Sequence, residues 1–418
     1  MNLSQTLYKA KIATNILAKL PHQQRQQFLK DCALGLEANI QSLLEANLKD
    51  LNNAQAMNLN NAMIERLSLD ETKIRNMAQS LRKIADFQDP LHRILSGFSN
   101  AKGLDIQKVS IPLGVIAIIY ESRPNVTSDT AGLCFKSGNV CILKGGKEAQ
   151  NSNESIIQIF HKILSQHHLP LESITLLPSM QKREDLKELL YAKDFIDLII
   201  PRGGEGLISF VSEHSKIPVI KHDKGVCHIY AHHSCKIEES IAIILNAKTS
   251  RPSTCNACET LLIDKAFAKD FLPKVALALR DRGTLLKGCE ESCNILKHHT
   301  IECELVPTEA YHREYNDNIL NLKIVQSFQE ALLHIQTYGS GHSDAILCED
   351  YSLAEEFLNQ IDSACIYVNA STRFSDGEEF GYGAEVGIST ARIHARGPMG
   401  VESLTTYKYK IRGNGQVR

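Results

Sequence analysis

Blocks of basic charge are missing from this sequence. Its 46 Lys and Arg are dispersed among 48 Asp and Glu for a formal net charge of -2. That leaves no concentrated positive surface for tracking a phosphate backbone, so nucleic acid is excluded as the main partner. Long apolar runs are missing too. V-I-A-I-I-Y at 115–120 is among the longest, far short of the roughly 20 residues that span a bilayer, so no membrane partner is expected and the run reads as a buried strand. The opening M-N-L-S-Q-T-L-Y-K-A-K lacks the uninterrupted apolar core of a secretory signal. A cytoplasmic location follows, with the 12 cysteines expected as reduced thiols. Cys255-x-x-Cys258 and Cys289-x-x-x-Cys293 have no further His or Cys at zinc-site spacing, so no metal is expected from them. The dinucleotide fingerprint G-x-G-x-x-G is absent from the first βαβ unit, and F-G-Y-G-A-E-V-G near 380–387 resembles it only in glycine content. No internal repeat or low-complexity tract occurs.

What remains is an ordinary globular composition: 418 residues, 43% hydrophobic and 22% charged, long enough for two to three domains. Residues 3–97 read as helices. Phe28, Cys32, Leu36, Ile40 and Leu43 recur every three to four positions on one face. A capping box, Ser68-x-x-Glu71, announces a second helix carrying Ile74, Met77, Leu81 and Ile84. From about 105 the pattern turns to β. Strands then alternate with helices: N-V-C-I-L-K, a helix after Asn151, S-I-T-L-L, a helix from Arg183, D-F-I-D-L-I-I, a helix after Gly206, and I-P-V-I-K. A second α/β segment starts near 235, and the tail T-T-Y-K-Y-K is β-like. Such alternation predicts parallel sheets covered by helices, with ligands beyond the carboxyl ends of the strands.

Three stretches carry candidate chemistry. In S-R-P-S-T-C-N-A-C-E-T (250–260), Cys255 lies among Ser250, Ser253, Thr254, Asn256 and Arg251, between a predicted helix and a predicted strand. A thiol becomes reactive where partial exposure and nearby donors or cations favour its thiolate, whereas Cys141 and Cys365 sit where small hydrophobes would and are expected to be buried and inert. In P-R-G-G-E-G-L-I, Gly203, Gly204 and Gly206 join a strand to a helix, either as a phosphate cradle of free amides or as a plain tight turn. Lys144 ends a strand and could meet a ribose or phosphate oxygen, or only solvent.

Taken in order, the motifs resemble those of the γ-glutamyl phosphate reductases of proline biosynthesis, a branch of the aldehyde dehydrogenase superfamily. The matching stretches include I-P-L-G-V-I-A-I-I-Y-E-S-R-P-N-V-T-S-D (111–129), L-K-G-G-K-E-A (143–149), I-I-P-R-G-G-E-G-L-I (199–208), H-D-K-G-V-C-H-I-Y (222–230), C-N-A-C-E-T-L-L (255–262), Y-G-S-G-H-S-D-A-I (338–346) and H-A-R-G-P-M-G (394–400). The resemblance implies an aldehyde-dehydrogenase-like α/β fold: an NADPH-binding domain (1–100 and 113–230), a catalytic domain (231–370) carrying Cys255, and a β oligomerisation arm (101–112 and 390–418). It implies that Cys255 is the nucleophile and Asn125 an oxyanion donor acting with the backbone N–H at Cys255. Lys144, Arg202, Gly203, Gly204 and Glu314 would hold the cofactor. Ser122, Arg123, Arg251 and His342 are polar groups in matching stretches that could bind the leaving phosphate or the α-carboxylate of L-glutamyl 5-phosphate. It further implies a homodimer or larger homo-oligomer and a functional link to glutamate 5-kinase. Acid-forming relatives carry a water-activating glutamate in an E-L-G-G-K-like stretch. Here that stretch is His222-Asp223-Lys224-Gly225-Val226-Cys227-His228, without a glutamate, and His222 is the group that could replace it as a base. The alternatives are an acid-forming or other acyl-phosphate-reducing relative, or a non-catalytic protein on the same fold.

Overall fold

The computed structural model describes residues 2–59, 61–178, 183–220 and 224–418. It divides into two compact units, Met1–His222 with Gly381–Gly387 and Met399–Arg418, and Asp223–Phe380 with Ile388–Pro398. His222, the possible base, lies outside the described residues.

The first unit opens with α1 (Leu3–Leu17), α2 (His22–Ala38), α3 (Ile40–Ala56), α4 (Asn61–Leu67) and α5 (Glu71–Asp86). The predicted apolar face is real: Phe28, Cys32, Leu36 and Leu43 are fully buried. It is carried by two helices, because Asn39, at φ -119° and ψ 24°, leaves helical geometry between them. The cap of α5 is Asp70 rather than Ser68. The Asp70 carboxylate, next to the first helical residue, accepts from the Lys73 amide at 2.7 Å, and a charged acceptor suits a helix start.

The chain continues through β1 (Ile94–Ser99), β2 (Asp105–Pro112), β3 (Val115–Tyr120), α6 (Pro124–Lys136), β4 (Val140–Lys144), α7 (Gln150–Gln166), β5 (Ile174–Leu176), α8 (Leu186–Leu190), β6 (Leu198–Arg202) and α9 (Glu205–His214). Asp50 of α3 accepts from the Asn151 and Ser152 amides at 3.1 and 2.8 Å, tying the helical layer to the start of α7. β3 to β6 form a parallel sheet in the order β5-β4-β3-β6. Every residue of β3 and β4 is buried, which is why these strands read as continuous apolar runs. The strand order reverses at β3, so a ligand crevice belongs outside the carboxyl ends of β3 and β6. The predicted strand I-P-V-I-K gives only a bridge between Val219 and Ile199; its Lys221 lies outside the described residues.

The second unit contains β7 (Cys227–Ala231), α10 (Ile237–Thr249), β8 (Cys258–Asp264), α11 (Ala268–Arg280), β9 (Leu285–Gly288), α12 (Glu290–His298), β10 (Glu304–Leu305), β11 (Ile319–Val325), α13 (Phe328–Tyr338), β12 (Ser343–Leu347), α14 (Tyr351–Gln360) and β13 (Cys365–Val368). Its sheet has the order β10-β9-β11-β8-β7-β12-β13, with parallel pairings throughout. β7, assigned by the sequence reading to the first domain, pairs here with β8 and β12. Successive strand residues serve opposite faces. Ile229, Leu261 and Ile263 pack toward Phe271 and Leu272, whereas Tyr230 and Leu262 pack toward Phe328 and Phe357. Each such fully buried side chain contributes about 1.5–3 kcal/mol.

Finally β14 (Gly387–Ser389) pairs with β15 (Gly397–Met399), and β16 (Thr405–Arg412) runs antiparallel to β2, giving a separate sheet β1-β2-β16. The arm thus also takes in β1, while residues 390–398 belong to the second unit. Ten cysteines are free, but Cys293 and Cys303, with Cα atoms 5.3 Å apart, are joined in a disulfide, which corrects the expectation of reduced thiols throughout. Among the described residues, no helix is long and apolar enough to cross a membrane.

Candidate active site

In the second unit α10 delivers the chain to the Cys255 loop and β8 leads it away. The loop is held from within: the Thr254 hydroxyl donates to the Arg251 carbonyl at 2.9 Å, and the Ala257 amide donates to the Thr254 carbonyl at 2.9 Å. It is also held from outside. The buried Asn256 amide donates to the Ser375 and Arg373 carbonyls at 2.8 and 3.3 Å, and the Thr372 hydroxyl donates to the Asn256 carbonyl at 2.7 Å. The Arg373 guanidinium donates to Ser250 Oγ at 3.2 Å, to Thr254 Oγ1 at 2.9 Å and to Asn256 Oδ1. Gly225 passes close against the Cys255 backbone, where an added Cβ would stand 1.8 Å from the Cys255 carbonyl oxygen. Only glycine fits there.

Cys255 is partly exposed. Arg373, which the sequence reading missed, interacts with it electrostatically. Burial pushes the guanidinium below its ordinary value, Asp376 opposes that shift, and Arg251 adds to it. A neighbouring guanidinium favours a thiolate. Cys258, three residues on, is fully buried, and burial pushes its thiol up to about 12. Cys141 and Cys365 are buried as expected. Cys227, also buried, donates to the Cys255 carbonyl at 3.2 Å and lies 3.8 Å from His342 Nδ1. His342 is wholly buried, with Nδ1 2.8 Å from Ser343 Oγ, so it reaches the loop through Cys227. Arg251 is exposed.

Beneath the loop a lysine and a glutamate are buried together: Lys248 Nζ is 3.1 Å from Glu259 Oε2. Burial pushes the Glu259 carboxyl up to about 8 against the opposing pull of Lys248, with Glu314 adding a smaller push. Glu314 is thus near this pair, half-buried before β11.

In the first unit the predicted residues gather at the strands' carboxyl ends. Lys144, at the end of β4, is buried and donates to the Gly145 carbonyl at 2.7 Å; burial lowers its pKa and Glu148 opposes the shift. A Cβ on Gly146 would meet Glu148, then Glu121 and Ser122, so glycine there lets the β4 end lie against the β3 end. The Ser122 hydroxyl is buried with no hydrogen-bond partner among the described residues. Arg202, at the end of β6, has its guanidinium 3.9 Å from the Glu385 carboxylate. At the start of α9, the Gly204 amide, expected to be free for a phosphate, donates to Glu121 Oε2 at 2.8 Å, and Gly203 closes over the same carboxylate. The helix start does attract an anion, and the chain's own Glu121 supplies it.

Arg123 precedes α6 and is exposed. Asn125 lies in the first turn of α6 behind Pro124, exposed, and its side-chain amide donates to Asp129 Oδ2 at 3.3 Å. Burial pushes the Asp129 carboxyl up to about 6, and its bonds to Ser80 and Asn125 pull it back. The structure therefore groups Ser122, Lys144, Arg202, Gly203 and Gly204 in one unit, and Cys255, Arg251 and His342 in the other, with Glu314 beside the buried pair.

Comparison with known proteins adds three findings. The model of the Aldehyde dehydrogenase family matches residues 2–291. The chain is 52% identical to a gamma-glutamyl phosphate reductase of Nautilia profundicola over 100% of both chains, and 51% identical to that of Wolinella succinogenes over 99% of both. Among solved structures, the gamma-glutamyl phosphate reductase of Thermotoga maritima superposes with a TM-score of 0.96 at 38% identity, covering 100% of both chains.

Proposed function

The chain belongs to the aldehyde dehydrogenase family, and within it to the γ-glutamyl phosphate reductases; from that membership we propose that it reduces L-glutamyl 5-phosphate to L-glutamate 5-semialdehyde and phosphate in proline biosynthesis, using NADPH. The observation that carries the reading is the Cys255 loop. Of the free thiols only Cys255 and Cys289 are partly exposed, and Cys255 is the one fixed among hydroxyls beside a guanidinium, while Cys289 is followed by Glu290 and Glu291.

The Cys255 thiolate attacks the acyl carbon of the acyl phosphate, and charge develops on the carbonyl oxygen. Asn125 and the Cys255 amide are assigned as donors to that oxygen, each such donor being worth about 3–4 kcal/mol. Collapse expels phosphate and leaves a thioester on Cys255. Arg123, Arg251 and the unpartnered Ser122 hydroxyl are assigned to the phosphate or the α-carboxylate. Family membership implies a nicotinamide cofactor, which supplies hydride when bound. Hydride delivered to the thioester carbon would let the Cys255 thiolate leave with its electron pair as the aldehyde forms. Lys144, Arg202, Gly203 and Glu314 are assigned to hold the cofactor. The glycines whose Cβ would collide at the strand ends make a cradle with backbone at its surface, and Lys144 offers a cation that donates to the Gly145 carbonyl beside it. Occupation of the α9 start by a cofactor phosphate requires Glu121 to withdraw from Gly204.

The remaining assignments complete the proposal: a cytoplasmic enzyme, fed by a glutamate 5-kinase, working as a homodimer or larger. For the last, β1 is exposed along its whole length and β16 along most of it, and Phe98 and Ile411 both pair with Ile106 across the arm. Two open edges bearing apolar side chains are suited to pairing. Sedimentation is expected to give at least a dimer at micromolar concentration, and monomer alone would contradict this. The activity is tested by following NADP+ reduction with glutamate semialdehyde, with and without phosphate. Oxidation should depend on phosphate as acyl acceptor and yield little free glutamate. Glutamate and NADPH accumulating at comparable rates without phosphate would establish an acid-forming enzyme instead.

A further inference from the structure

We propose that His232, His233 and Asp264 form a binding site for a divalent transition-metal ion such as zinc, at the opposite end of β8 from Cys255. β7 ends at Ala231 and is followed at once by the two histidines, Asp264 ends β8, and Ala231 pairs with Ile263. The three side chains therefore leave adjacent strand ends at one level. His233 Nδ1 is hydrogen-bonded to Asp264 Oδ2 at 2.7 Å, a bond that an ion would replace, His232 Nε2 lies 3.6 Å from the same oxygen, and the three ligand atoms are all within 4.8 Å of one another. A separation of 3.6 Å is too long for a hydrogen bond. It is close to the roughly 3.3 Å between two ligands of a tetrahedral ion with bonds of about 2.0–2.1 Å.

The outer contacts hold the donors in place. Ser234 Oγ lies 2.9 Å from His232 Nδ1 and accepts from the Glu349 amide at 3.1 Å. His232 Nδ1 also accepts from the Ser234 amide at 3.4 Å, so both contacts turn Nδ1 toward Ser234 and Nε2 toward Asp264, and an ion taken up at Nε2 would leave the ring proton on Nδ1 beside Ser234 Oγ. The other carboxylate oxygen, Asp264 Oδ1, accepts from the Ala266 amide at 2.9 Å. His232 and Asp264 are buried while the His233 side chain is 53% exposed, which gives an ion a way in and leaves a coordination place for water. Two imidazoles and one carboxylate suit zinc, cobalt, nickel or copper rather than magnesium or calcium. The cysteine spacings that argue against a metal elsewhere have no bearing on this set.

Cobalt(II), added to the full chain freed of metal by chelation, is the probe. One equivalent should bind and give visible ligand-field absorption without the near-ultraviolet charge-transfer band of a thiolate ligand. His233→Ala, at a side chain too exposed to threaten folding, should weaken binding by at least about tenfold, as should Asp264→Asn. Cys255→Ser should leave it unchanged. Absence of binding at millimolar cobalt, binding unaltered by His233→Ala, or binding abolished by Cys255→Ser would each overturn the proposal.

Discussion

The two parallel sheets carry their candidate chemistry at opposite ends. In the first unit Glu121, Ser122, Lys144, Arg202 and Gly204 all follow or close the carboxyl ends of β3, β4 and β6, where helix amino termini offer positive dipole ends to anions. In the second unit Cys255 precedes β8, Cys227 opens β7 and His342 precedes β12, so the candidate groups stand at amino ends. The chain enters the Cys255 loop from the carboxyl end of α10, so the helix leading into the loop presents no amino terminus to a thiolate. What the backbone withholds there, side chains must supply. Arg373 and Arg251 flank the loop.

The largest effect should come from removing the thiol. Cys255→Ala is expected to lower semialdehyde formation on the order of 10⁴-fold or more, as loss of a nucleophile does, with the circular dichroism spectrum retained. Cys258→Ala, which removes a buried thiol, should keep substantial activity; equal losses would point to a coupled dithiol. Next, Asn125→Ala should cost about 10²–10³-fold in kcat, the usual cost of an oxyanion donor. An effect on KM alone would return Asn125 to a structural role on α6. Smaller still, Arg373→Met should slow alkylation of Cys255 by iodoacetamide at neutral pH about tenfold, one pKa unit's worth, with the rate recovered as pH rises. An unchanged alkylation profile would mean that Arg373 only braces the loop.

Much of this contrast is legible in the sequence, because local signals carry it. Continuous apolar runs mark β3 and β4, and the hydroxyl-rich setting of Cys255 marks the loop. What depends on distant partners is not legible. β7 reads like any other strand, and only its pairing with β8 and β12 assigns it to the second sheet. β9, α12 and β10 escape notice because β9 and β10 have four and two residues, too few to show a period. Arg373 reaches Thr254 from far along the chain. The amide at Gly204 looks free until Glu121 folds back onto it. Asp70 displaces the Ser68 capping box for a local reason, since both residues carry capping side chains and position decides.

The buried pair beneath the thiol loop sharpens the comparison through stability rather than rate. Glu259 follows Cys258 on β8 and meets Lys248 of α10, so the pair closes the base of the loop on both sides. Burial raises the Glu259 carboxyl from 4.5 to about 8. Between those values the folded chain keeps a proton that the unfolded chain has released. Folding therefore takes up a proton, and stability falls as pH rises across that window, by up to ~1.4 kcal/mol per pH unit for one proton. Below 4.5 both states hold the proton and above about 8 neither does, so the dependence vanishes outside the window. Glu259→Gln removes the titration. Urea unfolding of both proteins at pH 5, 6, 7 and 8 should show the wild type losing stability relative to Glu259→Gln at each step. A constant difference across the series would mean that Glu259 is already ionised when folded, held as a carboxylate by Lys248 throughout.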